Sequence, residues 1–201
     1  MEGKPELRRR TIAERDRLPA HEIRRRSAAA SSRLLALPEF HRARTVMFFV
    51  TFGSEAETLP SMQAAISQGK RVSAPRADPR TRSLEPCQIA DLDADLVPGA
   101  HNIREPRPHC RPVPLDQIEV VIVPAAVWGE DGYRIGYGGG YYDRFLERLP
   151  SATSIGFGFE MQVVSEVPHS DDDRPVDILV TDARVRRFTR ARGTHEGAES
   201  R

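Results

Sequence analysis

The chain has 201 residues, 39% of them hydrophobic and 29% charged, with a formal net charge of +1. That length suits one domain able to bury about 70% of its unfolded surface. The charge balance gives no electrostatic case for a nucleic-acid partner, and no apolar run reaches the roughly 18–20 residues of a membrane span. Residues 1–17, "MEGKPELRRRTIAERDR", mix acids with arginines and have no apolar segment, so they do not read as a signal peptide. Cys87 and Cys110 match no metal spacing and make no disulfide framework; reduced thiols in a cytoplasmic protein are the expectation.

Residues 4–37 read as helical, with Pro5 suited to a first turn, a break at Pro19 and a restart in "LPAHEIRRRSAAASSRLLAL". The arginine runs 8–10 and 24–26 are interleaved with acids and read as solvated helix faces. "RTVMFFV" then predicts a buried strand, "TLPSMQAAISQG" a helix ended at Gly69, and "KRVSAP" a second strand. A β-α-β unit of this length points to a parallel sheet with crossover helices. Residues 83–117 are proline-rich and weakly periodic, predicting short strands and loops. "IEVVIVP" at 118–124 is the clearest central strand, followed by the helix "YYDRFLERL" and the strands "TSIGFGF" and "VDILVTD". The predicted fold is three-layer α/β, a mostly parallel sheet with helices on both faces, in one domain over residues 1–188. Residues 189–201 read as a polar, disordered tail.

Between the central strand and the last helix lies "YRIGYGGGYYDRFL", with glycines at 136, 138, 139 and 140. A strand, a glycine loop and a helix start form an arrangement that binds phosphates, because glycine lets backbone N–H groups crowd an anion. The loop lacks the Gly-Lys-Ser/Thr ending of a Walker A loop and does not follow a first strand as a dinucleotide fingerprint does. Glycine content alone therefore leaves phosphate binding and a plain tight connection both open. Asp143 beside an anion site implies a cation such as Mg²⁺ between them, or else a helix-start charge. Two of the 30 basic residues are lysines, Lys4 and Lys70, and a phosphate-contacting ammonium is one reason for retaining a lysine.

Taken whole, "VPAAVWGEDGYRIGYGGGYYDRFL" resembles the signature of the 5-formyltetrahydrofolate cyclo-ligases. "KPELR", "EAET", the "GK" at 69–70, "NIREP", "QVVSEVP" and "DRPVDILVT" fall in the order that family has, from about residue 4 to 181. The resemblance implies ATP- and Mg²⁺-dependent conversion of 5-formyltetrahydrofolate to 5,10-methenyltetrahydrofolate. The formyl oxygen is phosphorylated, folate N10 attacks, and ADP and phosphate are released. It further implies that Lys4, Arg8 and Arg134 hold ATP phosphates with Gly136, Tyr137, Gly138, Gly139, Gly140, Tyr141 and Tyr142. Lys4, Arg134 and Asp143 would form the catalytic set, with Asp143 on Mg²⁺. Glu55 and Tyr142 would contact the folate. From the residues alone, Glu55 reads equally as a cap for the helix near Thr58, and the tyrosines as core.

Departures from the family pattern are Trp128-Gly129 in place of Phe-Asp, Tyr137 and Gly139 where a basic residue is frequent, and His101 before the "NI" segment. Glu130 or Asp131 is the candidate substitute for the missing aspartate. A relative with a changed substrate, or a non-catalytic nucleotide-binding protein, is the alternative reading. The expected partners are small molecules, ATP and a reduced folate, acting on a monomer with no nucleic-acid or membrane partner.

Overall fold

The computed structural model describes residues 2–99, 103–170 and 173–188. The tail from 189, and His101 with Asn102, lie outside the described residues. The chain opens with α1 (Lys4–Arg15) and α2 (Ala20–Leu35), with Pro5 in the first turn of α1 and Pro19 at the N-cap of α2. A short α3 (Pro38–Arg42) leads into β1 (Thr45–Met47), and α4 (Leu59–Ser67) carries the chain to β2 (Arg71–Asp78). Strand β3 (Ser83–Ile89) turns back on β2, followed by α5 (Leu92–Asp95) and the pair β4 (Leu96–Pro98) and β5 (Arg104–Pro106). After β6 (Val120–Val123) come a hairpin of β7 (Val127–Gly129) and β8 (Arg134–Ile135), then α6 (Tyr141–Glu147). The chain closes through β9 (Thr153–Phe157), β10 (Val163–Val164), β11 (Ile178–Val180) and β12 (Val185–Arg187).

The main sheet has seven strands in the order β12-β11-β9-β6-β1-β2-β3. Its five inner strands are mutually parallel, while β3 and β12 close the two edges antiparallel. The expected β-α-β unit is present, with Thr45 opposite Arg71 in the parallel pair β1–β2. The stretch 83–117 is more regular than its sequence suggests, since β3 runs seven residues despite Pro86. Proline is tolerated there because β3 is an edge strand. That edge is itself covered: Val113 N–H donates to the Pro86 carbonyl and Gln88 N–H to the Arg111 carbonyl.

Both faces of the sheet are buried, as the apolar runs require. On one face Val46, Val72, Val120, Ile122, Ile155 and Ile178 pack with Leu34 of α2, Phe40 of α3 and Met62 of α4. On the other face Met47, Val121, Val123 and Leu179 pack with Phe145 and Leu146 of α6 and with Trp128. The alternation of neighbours such as Val120 and Val121 between the two clusters follows from the two-residue period of a strand. This is the single-domain, mostly parallel α/β architecture with helices on both faces. Among the described residues no helix is long and apolar enough to cross a membrane.

Trp128 is fully buried, and its bulk explains the glycines of "IGFGF". A Cβ at Gly156 would lie 2.5 Å from the indole Cη2, and one at Gly158 would lie 2.9 Å from its Nε1. Gly156→Ala is therefore expected to destabilise the fold by about 1–3 kcal/mol through overpacking. Urea unfolding of this variant, alone and combined with Trp128→Phe, checks the cause. The penalty should shrink in the double variant, and strict additivity would show that the indole is not what the methyl meets.

Candidate active site

Most residues singled out from the sequence gather around the loops that leave the carboxyl ends of β1 and β6, where a parallel α/β sheet places ligands. A larger concavity of about 620 Å³ lies at the amino ends of these strands, around Thr45, Lys70, Arg71 and Glu119. Lys70 there donates to the His41 carbonyl (2.9 Å) and the Ala43 carbonyl (2.7 Å), with its ammonium 5.3 Å above the Phe40 ring. It fastens the end of α3, so its retention as a lysine needs no phosphate.

The glycine loop joins β8 to α6. Gly138 (φ +100°) and Gly140 (φ +62°) occupy the left-handed region, which a side chain would make costly. Helix α1 lies against this loop: Arg8 Nε donates to the Gly136 carbonyl at 2.7 Å, and Lys4 Nζ meets Asp173 Oδ2 at 2.5 Å. Arg144 closes the loop on itself by donating to the Gly139 carbonyl at 2.5 Å and to the Arg82 carbonyl at 3.2 Å. It does not act as a simple surface partner of Asp143.

Arg134 is the buried cation of the site. Its Nη2 donates to Asp143 Oδ1 at 2.8 Å and its Nη1 to the Arg174 carbonyl. The Arg174 N–H reaches the same Asp143 oxygen at 3.3 Å. Burial pushes the guanidinium pKa down, and the charge of Asp143 holds it up. Asp143, Asp173, Arg174, Gly140, Arg144 and Glu147 line a cleft of about 370 Å³. Two arginines and three carboxylates thus line one opening.

A second group of polar side chains surrounds Glu55, which is 3% exposed. Tyr137 hydroxyl donates to Glu55 Oε1 at 2.6 Å, and Phe52 N–H donates to Oε2 at 3.1 Å. The Phe52 and Tyr137 rings lie 5.0 Å apart, tilted by 59°. Arg15 donates through Nη2 to the Tyr137 hydroxyl at 3.1 Å and through Nε to Ser54 Oγ at 3.0 Å. Burial pushes the Glu55 carboxyl up to about 7, opposed by the Tyr137 and Phe52 bonds and the charge of Arg15. Tyr142 feels both Glu55 and Arg134. Its hydroxyl is enclosed and has no hydrogen-bond partner among the described residues.

Most residues singled out from the sequence therefore converge: Lys4, Arg8, Arg134, the glycine loop, Asp143, Tyr142 and Glu55. Glu55 does not cap α4, whose N-cap is Thr58, because both its carboxylate oxygens are bonded within the loop and to Tyr137. Tyr137, grouped with the phosphate loop on sequence grounds, turns its hydroxyl toward Glu55. Glu130 pairs with Arg186 of β12 at 3.0 Å, and Asp131 accepts from Tyr133 N–H within the β7–β8 turn at 3.1 Å, so both are already engaged. Sequence reasoning missed Asp173 and Arg15. The spacing of Arg15 from Lys4 and Arg8 along one helix face was the available signal.

Fold and cleft together describe an α/β protein with a charged cleft beside its glycine loop. The chain belongs to the 5-formyltetrahydrofolate cyclo-ligase family, whose model matches residues 1–182. It is 31% identical over 159 residues to the 5-formyltetrahydrofolate cyclo-ligase of Escherichia coli strain K12, covering 78% of this chain and 87% of that one. The Haemophilus influenzae protein of the same name is 29% identical over 150 residues, covering 73% and 80% of the two chains. The 5,10-methenyltetrahydrofolate synthetase of Aquifex aeolicus superposes with a TM-score of 0.82 at 30% identity, covering 96% of this chain and 99% of that one.

Burial raises the Glu55 carboxyl from its ordinary value of 4.5 to about 7, so the native state is expected to hold the extra proton between those values. Stability is thus expected to fall as pH rises across that window, by on the order of 3 kcal/mol, and to level off above it. Denaturant melts of wild type and Glu55→Gln from pH 4.5 to 8 check this. The variant should lose that part of the slope, and identical slopes would place the titration elsewhere.

Proposed function

We propose that this chain cyclises 5-formyltetrahydrofolate to 5,10-methenyltetrahydrofolate, with ATP converted to ADP and phosphate in the presence of Mg²⁺. The observation that carries this reading is the glycine loop itself, which runs from the Arg134–Asp143 pair beside the cleft through Tyr137, bonded to Glu55, and so joins the two polar groups. A reaction that joins a phosphate donor to a pterin needs such a junction.

The residues present fit both groups. Asp143, Asp173 and Glu147 bring carboxylate oxygens, the donors a hard divalent cation takes, to a cleft that Arg144 and Arg174 also line. The two bonds to Asp143 from Arg134 and Arg174 fall on Oδ1, and among the described residues none falls on Oδ2. Mg²⁺ held there would offset phosphate charge, and ATP supplies the phosphoryl group that makes the formyl oxygen a leaving group. Lys4, Arg8 and Arg134, with the backbone of residues 136–140, would orient the phosphates and stabilise charge as it shifts during transfer. Glu55 would accept hydrogen bonds from the N–H donors of the pterin, which strengthen when the acceptor is ionised. Phe52 and Tyr137 provide apolar ring surface beside it. Folate N10 would attack the activated carbon and give up its N–H proton as the ring closes and phosphate departs.

Asp143→Asn tests the metal assignment. The Mg²⁺ concentration for half-maximal turnover, read from methenyltetrahydrofolate absorbance, is expected to rise by about tenfold or more. Because Asp143 also neutralises buried Arg134, a stability loss of up to about 3 kcal/mol should accompany it. Titration well below the melting temperature separates the two effects, and an unchanged Mg²⁺ profile would remove Asp143 from the metal site.

A further inference from the structure

Helix α1 presents Lys4, Arg8, Thr11 and Arg15 at alternating spacings of four and three, which places them on one stripe of its surface. At ~1.5 Å per residue the stripe is about 16 Å long. Lys4 and Arg8 stand at the phosphate end, against Asp173 and the Gly136 carbonyl. Arg15 stands at the other end, 2% exposed, against Ser54 and Tyr137.

The chemistry of Arg15 gives its contacts a direction. A guanidinium only donates, so the Tyr137 oxygen that receives its N–H must send its own single proton elsewhere. That proton goes to Glu55 Oε1 at 2.6 Å. The same logic runs on the second branch, where Ser54 Oγ accepts from Arg15 and donates to Asp16. Burying a guanidinium without a direct carboxylate partner is costly, and two hydroxyl relays connect it instead to two carboxylates. Tyr137 is also held from the backbone side, because Arg8 bonds the carbonyl of the preceding residue, Gly136. One rigid helix thus grips Tyr137 twice, once from the phosphate end and once from the Glu55 end.

We propose that Arg15 is a positioning residue that couples the two half-sites: seating of α1 on an occupied phosphate loop fixes Tyr137 against Glu55, so ATP and the reduced folate bind with positive cooperativity. This inference rests on the cyclo-ligase reading above. An anion at the glycine loop that engages Arg8 orders the Gly136–Tyr137 segment, and Arg15 transmits that order as a defined Tyr137–Glu55 hydrogen bond. By linkage the coupling is reciprocal: the folate tightens ATP by the same factor that ATP tightens the folate.

Calorimetric titration of 5-formyltetrahydrofolate, with and without a non-hydrolysable ATP analogue and Mg²⁺, measures the coupling directly. Wild type is expected to bind the folate about tenfold or more tightly when the analogue is present. Arg15→Lys keeps a charge but not the two-armed geometry. It should bind the analogue alone within about twofold of wild type, yet show little coupling. Tyr137→Phe, which keeps the ring against Phe52 and removes the relay hydroxyl, should show the same loss and provides the test if Arg15→Lys does not fold. Wild type that binds both ligands without coupling, or coupling that survives in the variants, would overturn the inference while leaving the cyclo-ligase reading intact. Wild type that binds no 5-formyltetrahydrofolate under either condition would overturn both.

Discussion

Burying the Arg134 guanidinium obliges three separate segments to meet. A buried guanidinium is tolerated only with its hydrogen bonds and a countercharge supplied. Here the countercharge comes from Asp143 on α6 and a carbonyl from Arg174 on the approach to β11. The glycine loop is the connection between the cation and its carboxylate, nine residues apart in sequence. Left-handed backbone at Gly138 and Gly140 lets the chain reverse that tightly before α6 begins. Once these segments are locked, the cleft beside Asp143 and Asp173 follows from their packing.

The two half-sites treat buried charge in opposite ways. Arg134 keeps its charge because Asp143 lies against it, and burial is thereby compensated. Among the described residues no cation is bonded to Glu55; Arg15 acts from beyond Tyr137, and burial raises the carboxyl to about 7. A group poised near neutral pH is more easily charged or discharged by a ligand than one fixed far from it. Tyr142 lies in the fields of both groups. Its ring packs against both core clusters, so the junction is anchored to the rigid sheet rather than to a surface loop.

Much of this was readable from the chain, for reasons that differ by element. The parallel sheet was legible because "IEVVIVP" and "VDILVTD" bury both faces and leave an uninterrupted apolar run. The glycine loop was legible because a cluster of glycines ahead of a helix has few structural explanations. The β7–β8 hairpin was not, since strands of two or three residues are too short to show a period. Asp173 escaped because its partner Lys4 lies 169 residues away. Arg15 escaped for the same reason, with partners 39 and 122 residues distant. It was also hidden in an arginine-rich segment that reads as a solvated face. Local physics marks turns and periods, whereas ion pairs and relays depend on long-range closure.

The proposed joining of a phosphate-binding cleft to a pterin-binding carboxylate is tested most directly by product stoichiometry. Wild-type protein incubated with ATP, Mg²⁺ and 5-formyltetrahydrofolate should form ADP, phosphate and methenyltetrahydrofolate in a one-to-one-to-one ratio. Omitting any one reactant should suppress all three products together. ATP hydrolysis that proceeds without the folate, or ADP release with no methenyl product, would contradict it.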